Sequence, residues 1–480
     1  MRIGTRNNAA SQNQRHRMIE NYEQLPPRLY AGEIDECFRF LDEREHADGH
    51  SAQYWHWRAV AHLRAGEFLR TVDICCRITR DANDFGFQVH ALCDACAHLG
   101  LKEVALAVIE YFALKGAFAP VGAFLWRVYG WHYLGEDQRV LEMCPDGMEE
   151  HPTYVLGHHQ GRSAMRLHGI ARGVEQLHRY WSSHEARRVL FPHVDVEHYW
   201  CGARQLPACL EIRSIASGYG DMVNWVRYAA ALQALGVRIV IGDGSDLFYR
   251  LAMPSAEQQR HAQALREAGF SVTADGALWT DPFALFTSLF PVLGHASAQR
   301  YIEPADPQNV DTLVEDIRQR AGARRCIGIF WSSCESANNF ANRSLRLPDL
   351  APLFDDTDDI HWVVMQRGFE RLRWLDDPRA HDVQRFTTLA PDMTLAQSVS
   401  LIDRLDGFIG NDGGLSHVAG ALGKPGFMFL NQVAEWRYER EPDRTAWYPA
   451  MRLVRAPRLG DWDDVVRTLR QRLIDDRIRA

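Results

Sequence analysis

Residues 406–430 read Asp-Gly-Phe-Ile-Gly-Asn-Asp-Gly-Gly-Leu-Ser-His-Val-Ala-Gly-Ala-Leu-Gly-Lys-Pro-Gly-Phe-Met-Phe-Leu. They predict a short strand over 407–410, a turn over 411–414, a small-residue helix over 415–422 and a second strand over 426–430. Gly423 ends the helix and Pro425 stops its continuation. The unit is β-α-β. Gly413 and Gly414 leave the backbone bare where the helix begins. The N–H groups of a first helical turn have no partner inside the helix and carry the positive end of its dipole, which suits a phosphate. The same residues also fit a plainer role, with Asp412 as a helix cap, the glycines as a turn and His417 on a helix surface.

At 480 residues the chain exceeds one ordinary core, so two to four domains are expected. A net charge of −8 argues against a general nucleic-acid binder. No apolar run approaches the roughly 20 residues of a membrane span, and the first residues lack the apolar stretch of a signal peptide. The expected location is cytoplasmic, with no stable membrane insertion. The ten cysteines fit reduced thiols better than a disulfide framework. Cys93-Asp-Ala-Cys96 has half the spacing of a zinc site but falls inside a predicted helix, so buried structural thiols are expected.

Residues 1–24 are polar and read as a loose tail. A period follows over 25–182: Gly32, Gly66, Gly100, Gly135 and Gly169 are spaced 34, 34, 35 and 34 apart. Helical patterns flank the last four, such as 68–79 after Gly66 and 104–114 after Gly100. Helix, glycine turn, helix at this period resembles the tetratricopeptide repeat. Pro26 and Pro27 reduce the first repeat to a half repeat or cap. Ala59 and Cys93, seven residues before their glycines, are small enough for close helix packing. The pattern weakens at the equivalent Val128 and Arg162. Such repeats present a surface for a peptide or protein, or an oligomer interface, and a homo-oligomer is a further expectation.

From about residue 209 the pattern alternates between strands and helices, which implies parallel, doubly wound sheets. Strands are expected at 210–215, 237–242 and 270–273, with a loop at 216–221 and helices at 222–235 and 257–268. A second series has strands at 326–331 and 361–365 and helices at 348–354 and 394–405, the last leading into the opening stretch. The fold class expected is α/β, with Rossmann-like lobes at 205–305 and 322–480 behind an all-α repeat region. Ligands of such lobes bind at the carboxyl ends of the strands.

Several motifs then line up in order. Gly218-Tyr-Gly220-Asp221, Ile327-Gly-Ile-Phe-Trp331, Asn342-Arg343-Ser344, Gln366 in Val-Met-Gln-Arg-Gly and Asn411-Asp-Gly-Gly-Leu-Ser-His417 together resemble glycosyltransferase family 9, the heptosyltransferase-like enzymes. Glu435-Trp-Arg437 is similar to the tail of bacterial proteins that join tetratricopeptide repeats to such a domain. The resemblance covers about residues 205–475. It implies a GT-B fold and an inverting, metal-independent transferase using a nucleotide-sugar donor. Two departures stand out: Gly413 replaces the usual Thr after the motif's Asp, and Arg367 replaces the usual Lys.

On this resemblance Asp221 is the catalytic base, although its place at a helix start also fits a cap. The donor would rest on Gly218, Gly220, Gly413 and Gly414, with His417 one turn in and Arg343 and Ser344 on the phosphates. Asp412 would hold a hydroxyl or cap the helix. Gln366 would contact the nucleobase or end a strand; Trp436 and Arg437 would cover the donor or anchor their loop. No metal or other cofactor is expected. The expected acceptor is a protein selected by the repeats, flagellin or another surface protein. The alternatives are a lipopolysaccharide-core-type transfer and a non-catalytic scaffold.

Overall fold

The computed structural model describes residues 19–48, 51–77, 85–114, 120–143, 150–190, 194–215, 218–242, 248–273, 275–296, 299–333, 341–355, 357–390, 393–438 and 443–475. Most of the expected tail, and the first two residues of the loop expected at 216–221, lie outside these.

The periodic glycines do set the rhythm of the first third. Helices pair around them: α1 (Leu25–Ala31) with α2 (Ile34–Asp48), α3 (Ala52–Arg64) with α4 (Phe68–Arg77), α5 (Phe85–Leu99) with α6 (Lys102–Leu114), α7 (Pro120–Tyr133) with α8 (Asp137–Glu142), and α9 (Glu150–His168) with α10 (Ile170–Ser182). A short α11 (His184–Leu190) follows. All five glycines have positive φ, between 72° and 88°, the left-handed turn that a side chain disfavours. Pro26 and Pro27 sit in the first turn of α1, where a missing N–H is harmless, and leave the first unit short. Ala59, Cys93 and Val128 are buried between helices. The thiols of Cys75, Cys93 and Cys96 are buried and free.

The next segment begins with β1 (Gln205–Leu206) and β2 (Cys209–Ile212), then α12 (Tyr219–Trp225), α13 (Arg227–Leu235), β3 (Arg238–Ile241), β4 (Tyr249–Leu251), α14 (Ser255–Glu267), β5 (Ser271–Val272), β6 (Ala277–Thr280), α15 (Pro282–Leu293) and β7 (Ile302–Pro304). Its main sheet is parallel with order β3-β2-β6. The helix expected at 222–235 divides at Val226 and starts three residues earlier. Residues 220 and 221 thus lie in the first turn of α12 rather than in a loop.

The last segment holds α16 (Asp311–Ala321), β8 (Arg325–Phe330), α17 (Leu347–Leu350), β9 (Ile360–Val364), α18 (Gly368–Asp376), β10 (Phe386–Thr388), α19 (Leu395–Arg404), β11 (Gly407–Asn411), α20 (Gly414–Ala421), β12 (Gly426–Leu430), β13 (Met451–Arg455) and α21 (Trp462–Asp475). Its six strands are parallel in the order β10-β9-β8-β11-β12-β13. Residues 407–411 are buried throughout, as a parallel strand covered on both faces requires.

The helical region is fused to the sheets rather than tethered to them. One apolar core runs from Met165, Val174 and Trp181 on α9 and α10 through Trp225 and Phe286 to Leu415 and Trp447. The repeat turns meet the last segment: a Cβ on Gly100 would lie 2.6 Å from the Leu459 carbonyl, and one on Gly135 2.7 Å from Val433 Cγ2. Asp94 on α5 accepts from the N–H groups of Ala341 (2.8 Å) and Asn342 (2.7 Å). Among the described residues no helix is long and apolar enough to cross a membrane.

Candidate active site

β8 and β11 are neighbours, and the strand order runs away from them in opposite directions. Such a reversal opens a crevice beyond the carboxyl ends of the two strands. Phe330 at the end of β8 and Ser333 beyond it stand there, with Asp412, Gly413 and Gly414 after β11. Gly218, Tyr219, Gly220 and Asp221, at the start of α12, form the facing wall. Between them lies a cavity of about 660 Å³. Tyr133, His158 and Arg162 of the helical region close a third side.

Two helix starts, those of α12 and α20, meet at this cavity, and glycine lets them. A Cβ on Gly220 would lie 2.5 Å from His417 Cδ2, and one on Gly414 3.1 Å from Tyr219 Cδ1. Helical geometry leaves N–H groups over at both starts, although the Asp221 N–H donates to the Gly218 carbonyl and the Ser416 N–H to the Gly413 carbonyl, each at 3.0 Å. Gly413 lacks the hydroxyl expected after Asp412, and any Cβ there would press on Asn411 Oδ1 at 2.8 Å. Ser333 Oγ lies 3.4 Å from that same point and accepts from Asn411 Nδ2 at 2.8 Å. A hydroxyl from the neighbouring strand end therefore stands close to where the missing one would begin.

Asp221 does two things at once. Its Oδ2 accepts from the Gly218 N–H (3.1 Å), a helix-capping bond, and its Oδ1 accepts from Arg437 Nη2 (2.5 Å). Arg437 in turn lies over the rings of Trp225 and Trp436. Asp412 is buried; burial alone would raise its pKa, but the bond from His417 and the charges of Arg437, His417 and Arg343 outweigh it and hold the carboxyl well below the usual range. Burial lowers the His417 pKa, only partly offset by Asp412, so the ring is neutral at pH 7. Its Nε2 lies 3.3 Å from Asp412 Oδ1, and its Nδ1 lies 2.6 Å from the Tyr448 hydroxyl. This pairing puts the proton on Nε2 and leaves Nδ1 to accept from Tyr448. Tyr438 donates to the same Asp412 oxygen.

The cavity also gathers arginines. Arg162, Arg343 and Arg437 line it, and Arg162 Nε, Arg343 Nε, Arg437 Nε and Arg437 Nη1 are buried without a protein hydrogen-bond partner. Arg367, the residue that departs from the usual Lys, lines it as well and donates to the Met393 carbonyl.

Of the residues singled out from the sequence, Asp221, Gly218, Gly220, Arg343, Asp412, Gly413, Gly414, His417 and Arg437 line the cavity. Ser344, Gln366 and Trp436 stand behind its wall. Ser344 Oγ accepts from the Ser333 N–H at 3.0 Å. Gln366 is spent on backbone: Oε1 accepts from the N–H groups of Trp331 and Ser332, and Nε2 donates to the Ser332 and Arg367 carbonyls, all at 3.0 Å. Trp436 stacks on Trp225 (5.6 Å, 11°) and Phe286 (5.3 Å, 28°), anchoring its loop across the two sheet segments. Tyr133, His158 and Ser333 escaped the sequence reading, and Glu435 was quoted there only as part of a motif, with no role in the site. Arg162 left one trace there, a charged residue where the other repeats hold Ala59, Cys93 and Val128.

Residues 375–427 match the family model of glycosyltransferase family 9 (heptosyltransferase). The match ends just past α20 and takes in Asp412, Gly413, Gly414 and His417. No curated protein matches the chain. Among solved structures, a mutant O-GlcNAc transferase of Thermobaculum terrenum is similar at 10% identity and a TM-score of 0.31, over 96% of this chain and 92% of that one. Full-length LpoA of Haemophilus influenzae is similar at 10% identity and a TM-score of 0.21, over 83% of each chain. TM-scores of this size do not establish a shared fold.

Proposed function

We propose that this protein is a glycosyltransferase of GT-B architecture that binds a nucleotide-sugar donor in the cavity between its two sheet segments. One observation carries the reading. Arg343 and Arg437, whose buried Nε–H groups and Arg437 Nη1 have no protein partner, flank a cavity onto which the starts of α12 and α20 converge. Buried donors without partners cost free energy, and a diphosphate is the ligand that satisfies cationic forks and helix ends together. The family match over residues 375–427 supports the same class of reaction.

In this reading the donor diphosphate lies between the starts of α12 and α20, with Arg343 and Arg437 beside it. The acceptor oxygen attacks the anomeric carbon as Asp221 takes its proton. The carbon–oxygen bond to the diphosphate breaks on the opposite side, and the configuration inverts. Arginines and helix N–H groups take up the negative charge that develops on the leaving group, so the scheme needs no metal. His417, with both ring nitrogens engaged, holds Asp412 and packs against Gly220 rather than donating directly. Tyr133, His158 and Arg162 make the helical region part of the wall, which favours an acceptor delivered along the repeats, a polypeptide.

The test is turnover of UDP-, GDP-, ADP-, dTDP- and CMP-sugars by the full-length protein, followed as nucleotide release with and without peptide. One donor class is expected to turn over, and Asp221→Asn to lose about a hundredfold or more in rate while still binding that nucleotide. Full turnover in folded Asp221→Asn would remove Asp221 as the base.

A further inference from the structure

The loop after β12 touches all three parts of the molecule within a few residues. Asn431 Nδ2 donates to the Ala97 carbonyl on α5 (3.1 Å). Val433 packs on the Gly135 turn. The Ala434 carbonyl accepts from Arg166 Nη1 (3.5 Å), and Glu435 Oε2 accepts from Arg162 Nη2 (2.6 Å), both arginines lying on α9. Trp436 then stacks against Trp225 and Phe286, and Arg437 binds Asp221. The result is a run of charges of alternating sign, with Arg162 and Arg437 buried and Glu435 and Asp221 partly buried.

We propose that Arg162 is a positioning residue for the site: its ion pair with Glu435 holds the turn at 435–437, and Arg437 on that turn fixes the Asp221 carboxylate. The inference rests on the reading of Asp221 as the base. Four observations support the linkage. The Arg162 and Glu435 side chains are 11% and 13% exposed, so their attraction is little screened. Burial opposes ionisation of Glu435, yet Arg162 and Arg437 keep it charged. Arg437 feels Asp221, Asp412 and Glu435 together. The Arg437 backbone is held too, its carbonyl accepting from Trp447 Nε1 at 2.6 Å. An acceptor that displaces Arg162 on the helical side would therefore be felt at Asp221, on the far side of the cavity.

The linkage predicts a split between kcat and KM. Arg162→Met leaves Glu435 without its partner on α9, and Glu435→Gln breaks the same pair from the other side, so the double variant Arg162→Met/Glu435→Gln should be no worse than either single one. Loss of orientation should lower kcat about ten- to a hundredfold in Arg162→Met, with the KM for the nucleotide sugar little changed. Arg162→Lys, which restores one ion pair, should recover most of that loss.

The experiment uses the full chain and whichever sugar nucleotide of the five classes turns over. A lower kcat at unchanged KM in both single variants, not deepened in the double variant and recovered in Arg162→Lys, is the expected result. An unchanged kcat, losses that add in the double variant, or loss of nucleotide binding in folded Arg162→Met would overturn the proposal. If no sugar nucleotide turns over, the functional reading fails and the linkage is judged from stability alone. A denaturation cycle of Arg162→Met against Asp221→Ala should then be non-additive, because the 435–437 turn couples two residues that have no contact of their own; simple additivity would overturn it.

Discussion

Gly220 shows how one residue serves two elements. It lies in the first turn of α12, and its missing side chain is what admits the His417 ring of α20. Gly220→Ala is predicted to destabilise the fold by about 1–3 kcal/mol through overpacking, and to weaken nucleotide binding because the ring must move. Urea midpoints with and without nucleotide check both effects. Asp412 gives a prediction in pH. Its folded pKa is depressed, so its contribution to stability is complete above the ordinary carboxylate value of about 4 and is lost as pH falls toward the folded value. The urea midpoint of the wild type should therefore drop below pH 4, and Asp412→Asn should flatten that drop. Much at this scale was legible in the sequence, because glycine pairs beside Asp221 and Asp412 announce bare helix starts. Gln366 and Trp436 were not: a side chain bound to backbone and one stacked between segments look alike in a sequence.

The element scale explains why the repeat is so regular in glycine and so loose elsewhere. A left-handed turn every 34 or 35 residues demands glycine, and the turns at Gly100 and Gly135 also abut the last segment so closely that a Cβ would collide. The period was legible because the turn's backbone imposes it locally. The docking was not, because it joins residues hundreds of positions apart. Asp94 belongs to this interface. Burial raises its pKa to about 6, against the pull of the Ala341 and Asn342 N–H groups. Raised above its unfolded value of about 4, it favours the protonated fold; that contribution is full below pH 4 and lost as pH rises through about 6. Asp94→Ala should remove this pH dependence. At pH 5 it should still cost about 1–3 kcal/mol, because two buried N–H groups lose their acceptor. A stability-against-pH comparison of the two proteins reads both. The break between α12 and α13 was also missed: the apolar pattern runs on through Val226, while Arg227 turns inward to the Trp447 carbonyl and the Tyr301 hydroxyl.

Across the whole molecule, the cavity has three walls from three stretches of sequence, and one apolar core passes through all of them. The alternation of strands and helices made two sheets legible, but nothing in it placed a repeat helix beside them. The shared core predicts a single cooperative unfolding transition in calorimetry for the full chain. Two well-separated transitions, one for the helices and one for the sheets, would contradict it.

The central claim is that the cavity is built for a nucleoside diphosphate, and ligand-dependent stability tests it most directly. Purified full-length protein is titrated with UDP, GDP, ADP, dTDP and CMP, and the thermal midpoint is followed for wild type and Arg343→Ala. A ligand that binds only the folded state stabilises by about 2.7 kcal/mol at a hundredfold excess over its Kd. The account predicts that one nucleoside diphosphate, and not the monophosphate CMP, raises the wild-type midpoint, and that Arg343→Ala, folded as before, binds it about ten- to a hundredfold more weakly. No shift with any nucleotide, or a shift that Arg343→Ala leaves untouched, would contradict it.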